Sequence, residues 1–150
     1  MRSYQYPAEF APAEEGGFVI TFPDIPEAIT QGESVEDCIL EASDALEEAI
    51  AGRIHLWDKI PLPSSPQAGQ YLIPVPAQTA LKAALYEEVR SQGVNKVELA
   101  ARLGIDEKEV RRLLDPHHLS KLPRIEEVLE RVGKRIVVQI RDEQEMFAHA

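Results

Sequence analysis

The sequence predicts an α+β protein in two parts: a β-β-β-α-β domain, then an all-helical helix-turn-helix domain with a strand at its end. Three observations predict it. Short runs of β-formers separated by turn residues precede one long amphipathic helix. Lys96–Leu114, KVELAARLGIDEKEVRRLL, reads as two short helices joined at a glycine. The net charge of −10 lies wholly in one half: Met1–Gln78 holds three basic and thirteen acidic residues, whereas Thr79–Ala150 holds thirteen of each. With 150 residues, 44% of them hydrophobic, the chain can build one medium core or two small ones. The expected division is 1–78, 79–141 and a flexible tail at 142–150.

In the first part, Ser3–Phe10 and Gly17–Phe22 are rich in aromatic and β-branched residues and read as two strands of a hairpin. Pro7 cannot donate to a ladder, so an edge position or a bulge is expected there. The Pro23–Pro26 turn stops the second strand, and Ala28–Gln31 gives a short third. Ser34–Ala51 places Val35, Cys38, Ile39, Ala42, Ala45, Leu46, Ala49 and Ile50 on one helical stripe. Ser34 suits its N-cap, and Gly52 is a natural residue just past its end. The opposite face carries Glu36, Glu41, Asp44, Glu47 and Glu48. It is either a plainly solvated surface or a docking surface for a basic partner. Trp57 lies in a proline-rich irregular stretch, as cover for the core edge or as a partner contact. Gln70–Val75 reads as the fourth strand.

In the second part, Thr79–Ser91 is a helix turning Leu81, Leu85 and Val89 inward. Val97, Leu99, Ala100 and Leu103 give the next helix its apolar face. Gly104 ends it, Asp106 caps the following helix, and Glu109 completes a capping-box pattern. Val110, Leu113 and Leu114 are its buried face. Ala100, Gly104 and Val110 stand at the spacing of a DNA-binding helix-turn-helix. An ordinary packed helix pair is the alternative, and the four features in register favour DNA.

Lys108, Arg111 and Arg112 then face outward, where an arginine can bridge two acceptors of a guanine. Asn95, Lys96, His118 and Lys121 flank them as phosphate contacts, which set register without reading sequence. Asp106, Glu107 and Glu109 oppose phosphate approach, so each subunit should bind modestly and need a partner. Two reading helices would then sit about 34 Å apart on a pseudo-palindromic site. Ile125–Val132 is a further helix. Lys134–Arg141 changes to strand composition, and an isolated strand is unstable. Arg135, Ile136, Val137, Val138, Gln139 and Ile140 are therefore expected to pair with a second copy or with the first domain.

Several function classes are disfavoured. No apolar run is long enough to span a membrane and no leader is apparent, so neither a membrane partner nor export is expected. One cysteine, Cys38, excludes an internal disulfide and fits a reducing cytoplasm. No glycine-rich phosphate loop, metal-ligand spacing or nucleophile–base pair stands out, so no cofactor, no metal and no enzymatic activity are expected. Asp24 is more simply a turn former than half of an acid/base pair with Glu27.

The first eighty residues resemble the N-terminal domain of HicB-type antitoxins of type II toxin–antitoxin systems. The resemblance rests on Tyr6-Pro7-Ala8, Gly16-Gly17-Phe18-Val19, Phe22-Pro23-Asp24-Ile25-Pro26 and Thr30-Gln31-Gly32-Glu33, followed by an alanine-rich acidic helix. Glu27-Ala28 stands where the family often has glycine-cysteine. HLSKLPRIEEVLERVGKRIVVQI is similar to the helix-turn-helix version of that family. The resemblance implies a partial RNase H-like first domain that neutralises a small basic HicA-type mRNA-cleaving toxin. It implies a second domain that binds operator DNA and represses the operon, as a dimer or higher homo-oligomer. The RNase H likeness does not carry activity with it, since the metal-holding carboxylates are missing. A stand-alone helix-turn-helix regulator with a ligand-sensing first domain is the alternative.

Overall fold

In a computed structural model, described over residues 1–149, the chain is a mixed α+β protein. It has four strands, β1 (Gln5–Pro12), β2 (Phe18–Thr21), β3 (Ile29–Gly32) and β4 (Tyr71–Pro74), in one antiparallel sheet of order β3-β2-β1-β4. Five α-helices follow the pattern of the sequence: α1 (Val35–His55), α2 (Ala77–Gln92), α3 (Lys96–Leu103), α4 (Glu107–Leu114) and α5 (Leu122–Arg131). Two compact units emerge, and neither is one consecutive stretch. The first comprises 1–49, 61–76 and 140–150; the second comprises 50–60 and 77–139. The crossing at Pro76 falls near the expected junction. The return of 142–149 to the first unit differs from the flexible tail expected there.

β1 changes neighbour halfway. Gln5–Ala8 pair with β4 and Glu9–Pro12 pair with β2. This explains Pro7, which lies in a central strand rather than on an edge. Val75 donates to the Tyr4 carbonyl, so the antiparallel alternation puts Pro7 and Leu72 in a non-hydrogen-bonded pair. The Pro7 nitrogen then points away from β4, where β2 has already ended. Tyr6, Ala8, Ile20 and Ile73 form the sheet's inward face and are fully buried, with Cys38, Ala42 and Leu46 of α1. Asp24 accepts from both the backbone and the hydroxyl of Ser64 at 2.9 Å, fastening the proline-rich loop to its turn.

Ser34 caps α1 as expected, its hydroxyl accepting from the Asp37 amide. Gly52 does not end α1. It lies inside the helix on an exposed surface, and the buried stripe continues to Ile54. Trp57 takes the terminal left-handed position instead, with φ 57°. Its amide donates to the Ile54 carbonyl and that of Asp58 to the Arg53 carbonyl, which closes the helix end.

The second unit is built on Leu85, Tyr86 and Val89 of α2, Leu99 and Ala100 of α3, Val110, Leu113 and Leu114 of α4, and Ile125, Val128 and Leu129 of α5. Val97 is exposed, and Val94, ahead of α3, is buried in its stead. No helix is long and apolar enough to cross a membrane among the described residues.

Two expectations about the end of the chain are corrected. Lys134–Arg141 forms no strand, since no described strand pairs with it: it carries no regular structure, and Val137, Val138 and Ile140 are 68%, 75% and 92% exposed. The tail is not a loose end. Glu143–Met146 makes one 3-10 turn, Met146 is buried, and Phe147 bridges to Tyr71 beside β4. Ala148 exchanges backbone hydrogen bonds with Gly69 and Gln70 at 2.9 and 2.8 Å. Tyr71 stacks on Phe10 at 4.2 Å and meets Phe147 at 5.0 Å, so an aromatic row holds the tail.

Candidate functional site

Most of the residues singled out from the sequence lie on two surfaces, one in each unit. In the first, Glu36, Glu41, Asp44 and Glu48 are exposed along α1, and Glu47 is half-buried. The helix is anchored at its start by Gly32, where an added Cβ would lie 2.7 Å from Cys38 Sγ and 2.9 Å from the Cys38 nitrogen. Leu40, an exposed apolar residue, interrupts this acidic surface. Trp57 belongs to the second unit. It packs edge-on against Tyr86 at 5.0 Å and is 41% exposed, and the Tyr86 hydroxyl donates to the Asp58 carbonyl.

In the second unit, α3 and α4 form the helix pair that the spacing predicts. Gly104 has φ 66°, a conformation open to glycine, and its turn is closed by the Ile105 amide on the Ala100 carbonyl. Asp106 caps α4 by accepting from the Lys108 amide at 2.8 Å. Glu109 does not complete a capping box. Its carboxylate is gripped by Arg124 of α5 at 2.5 and 3.1 Å, and the Arg124 hydrogen bond holds it below the usual carboxylate range. Arg124 also binds Glu127, while Arg131 donates to the Leu103 carbonyl at the end of α3. These arginines fix α5 against the helix pair.

The basic residues expected at DNA are therefore not equivalent. Lys108 and Arg112 are exposed on α4. Arg111 is exposed but paired with Glu107 one turn back at 2.7 Å. Asn95 spends its side-chain oxygen capping α3, accepting from the Glu98 amide at 2.8 Å, and Lys96 is half-buried. His118 and Lys121 are exposed on the segment after α4. Lys108, Arg112, His118, Lys121 and Arg124 border a surface depression of about 460 Å³, together with Asp106 and Glu109. In the Lys134–Arg141 segment, Arg135 pairs with Glu130 at 2.7 Å and Ile136 is half-buried; Val137, Val138, Gln139 and Ile140 face solvent.

Sequence reasoning missed Lys82. It is fully buried, and burial draws its ammonium down to about 8, opposed by Asp115. The signal was present: Lys82 stands in the phase of an apolar helical stripe, between Thr79 and Tyr86. Among the described residues no group of three or more His, Cys, Asp or Glu side chains is placed to hold a metal ion.

Known proteins match both parts of the chain. Residues 5–84 match the family described as HicB-like antitoxin of bacterial toxin–antitoxin systems. Antitoxin HicB of Escherichia coli K12 is 36% identical over 132 residues, covering 88% of this chain and 96% of that protein. Antitoxin HicB 1 of Photorhabdus laumondii is 34% identical over 140 residues, covering 93% and 89%. Antitoxin HicB of Pseudomonas fluorescens is 33% identical over 130 residues, covering 85% and 88%. With matches of this extent through the sheet, α1 and the helix pair, the chain belongs to the HicB-like antitoxin family.

Proposed function

We propose that this antitoxin neutralises a small basic HicA-type mRNA-cleaving toxin with its first unit and represses its own operon with its second. The observation that carries the reading is similarity to HicB antitoxins running through both halves, including α3 and α4. The exposed carboxylates of α1 supply an electrostatic match for a basic toxin, attracting it and setting its register. Bound there, the toxin would have its RNA-contacting surface covered. In the second unit α4 acts as the reading helix, with Lys108, Arg111 and Arg112 toward the groove and His118 and Lys121 on phosphates. Asn95 and Lys96 contribute less than their spacing implies, since one serves as a cap and the other is half-buried.

Two reading helices are needed because Asp106, Glu107 and Glu109 oppose DNA on each. The segment Lys134–Arg141 supports a dimer: it has the composition of a strand, pairs with no strand of its own chain, and exposes three aliphatic residues suited to pairing with the same segment of a second copy.

The test is direct. The purified chain is mixed with the basic protein encoded beside it, and RNA cleavage is followed; undiminished cleavage sinks the first half of the proposal. For the second half, Arg111→Ala should weaken binding to the DNA upstream of the reading frame by about 1–3 kcal/mol and leave toxin binding intact. Equal operator affinity would mean that Arg111 stays with Glu107 and reads no base.

A further inference from the structure

α2 presents two polar side chains, one helical turn apart, to the segment that follows α4. Gln78 holds the Ser120 backbone from both sides: its Nε2 donates to the Ser120 carbonyl at 3.2 Å, and its Oε1 accepts from the Ser120 amide at 3.0 Å. Lys82 Nζ lies within 2.5–2.9 Å of the carbonyls of Arg112, Asp115 and His118 and the hydroxyl of Ser120. Three ammonium protons serve four acceptors, so at least one is shared. Every acceptor belongs to the last turn of α4 or to the segment just beyond it.

Burying a lysine is unfavourable unless its charge is fully hydrogen-bonded, and an apolar side chain would suit this stripe on stability grounds alone. What the lysine provides is directional. It gathers three carbonyls that would otherwise diverge at the end of a helix, where the dipole favours a cation. The segment so held carries His118 and Lys121, and its first anchor is the carbonyl of Arg112. These three side chains border the same depression as Lys108, and Arg124 on its rim is already paired with Glu109 and Glu127. The rim that can meet an anion is thus fixed by two residues that never reach it.

We propose that Gln78 and Lys82 are positioning residues for DNA: they preorganise the Asp115–Lys121 segment against the end of α4 so that His118 and Lys121 converge on the phosphate backbone of the operator. This rests on the operator-binding reading above and assigns the phosphate grip within it. Preorganisation raises affinity because the ordering entropy of the segment is met on folding rather than on binding.

The experiment uses the full chain and a duplex carrying the DNA upstream of its reading frame, with Kd measured across a salt series. Gln78→Ala and Lys82→Met are compared with the unaltered chain, and amide exchange is followed over residues 116–121. Gln78→Ala introduces no uncompensated charge, so it carries the test if Lys82→Met fails to fold. The expected result is a loss of about tenfold or more in affinity, faster exchange over 116–121, and a salt slope shallower by about one for each phosphate no longer neutralised. Folded Gln78→Ala with unaltered affinity overturns the proposal. So does weaker binding at an unaltered salt slope, which is what mere destabilisation would give. If the unaltered chain itself fails to bind the duplex, the operator reading falls instead.

Discussion

Gly32→Ala tests how the acidic helix is seated. Gly32 ends β3 opposite Phe18, and its φ is not in the left-handed region, so the substitution adds a steric term and no backbone strain. The new methyl would lie 2.7 Å from Cys38 Sγ, 2.9 Å from the Cys38 nitrogen and 3.0 Å from its Cα. Two of these three are backbone atoms of the first turn of α1, so rotation of one side chain cannot relieve them. The helix start must withdraw by several tenths of an ångström from a close-packed sheet face, which costs about 1–3 kcal/mol. Loss of glycine's freedom in the unfolded chain returns roughly 0.4–1 kcal/mol. A net destabilisation of about 1–2 kcal/mol lowers the Tm of a unit of this size by roughly 5–10 °C. Thermal and urea unfolding followed by far-UV circular dichroism would read it. The double variant Gly32→Ala with Cys38→Ala should recover little, because the backbone contacts persist. A Gly32→Ala protein as stable as the original, or full recovery in the double variant, would show that α1 is not seated on β3 in this way.

Gly52→Ala should do the reverse. An added Cβ there meets nothing within 4 Å in a helix interior, so unfolding should show a gain of about 0.5–1 kcal/mol; destabilisation would mean that α1 is not helical at 52. Arg124→Met removes the grip on Glu109 and Glu127 and should cost about 1 kcal/mol at neutral pH, given its partial exposure. Because Arg124 lowers the Glu109 carboxyl below its ordinary 4.5, the folded state binds that proton later than the unfolded state. That stability is present above pH 4.5 and is lost as pH falls through the depressed value, so the gap between parent and variant should close in acid. A gap that persists in acid denies the ion pair its role. Val138→Glu should convert an oligomer to monomers by light scattering while leaving single-chain stability within about 0.5 kcal/mol, since Val138 is 75% exposed. An unchanged mass would place the dimer contact elsewhere.

Much of this architecture was legible in residues whose local chemistry admits one reading. Ser34 and Asp106 each cap the start of a helix and Gly104 ends one, as their local chemistry predicts. The alternating Tyr6, Ala8 and Ile20 mark the buried sheet face. Gly52 misled because glycine tolerates both a helix end and an exposed helix interior, and the deciding influence was Ile54, two residues on and buried. Glu109 fits a capping box by spacing, yet Arg124, fifteen residues away, offers a bidentate partner that spacing cannot reveal. Lys134–Arg141 has the composition of a strand without a neighbour to make it one. Lys82 escaped notice because a charged residue in an apolar phase is ordinarily assigned to the surface. Of the acidic residues on α1, Glu36, Glu41, Asp44 and Glu48 are exposed and Glu47 is half-buried, and which of them meet a partner depends on that partner's shape.

The docking of Met146–Ala148 beside β4 alters how the chain can be taken apart. The chain passes between the two units four times, after Ala49, Ile60, Pro76 and Gln139. A single cut near Pro76 therefore leaves the units joined at three other crossings, one of them within α1. A second cut in the exposed 134–141 stretch would sever α2–α5 from the rest of the chain, while α1 would still run from one unit into the other. Lys134–Arg141, exposed at Val137, Val138 and Ile140, is also the strap that carries the chain back to the first unit. Pairing it with another copy would shield that strap from proteases, so assembly and persistence of the intact antitoxin would rise and fall together.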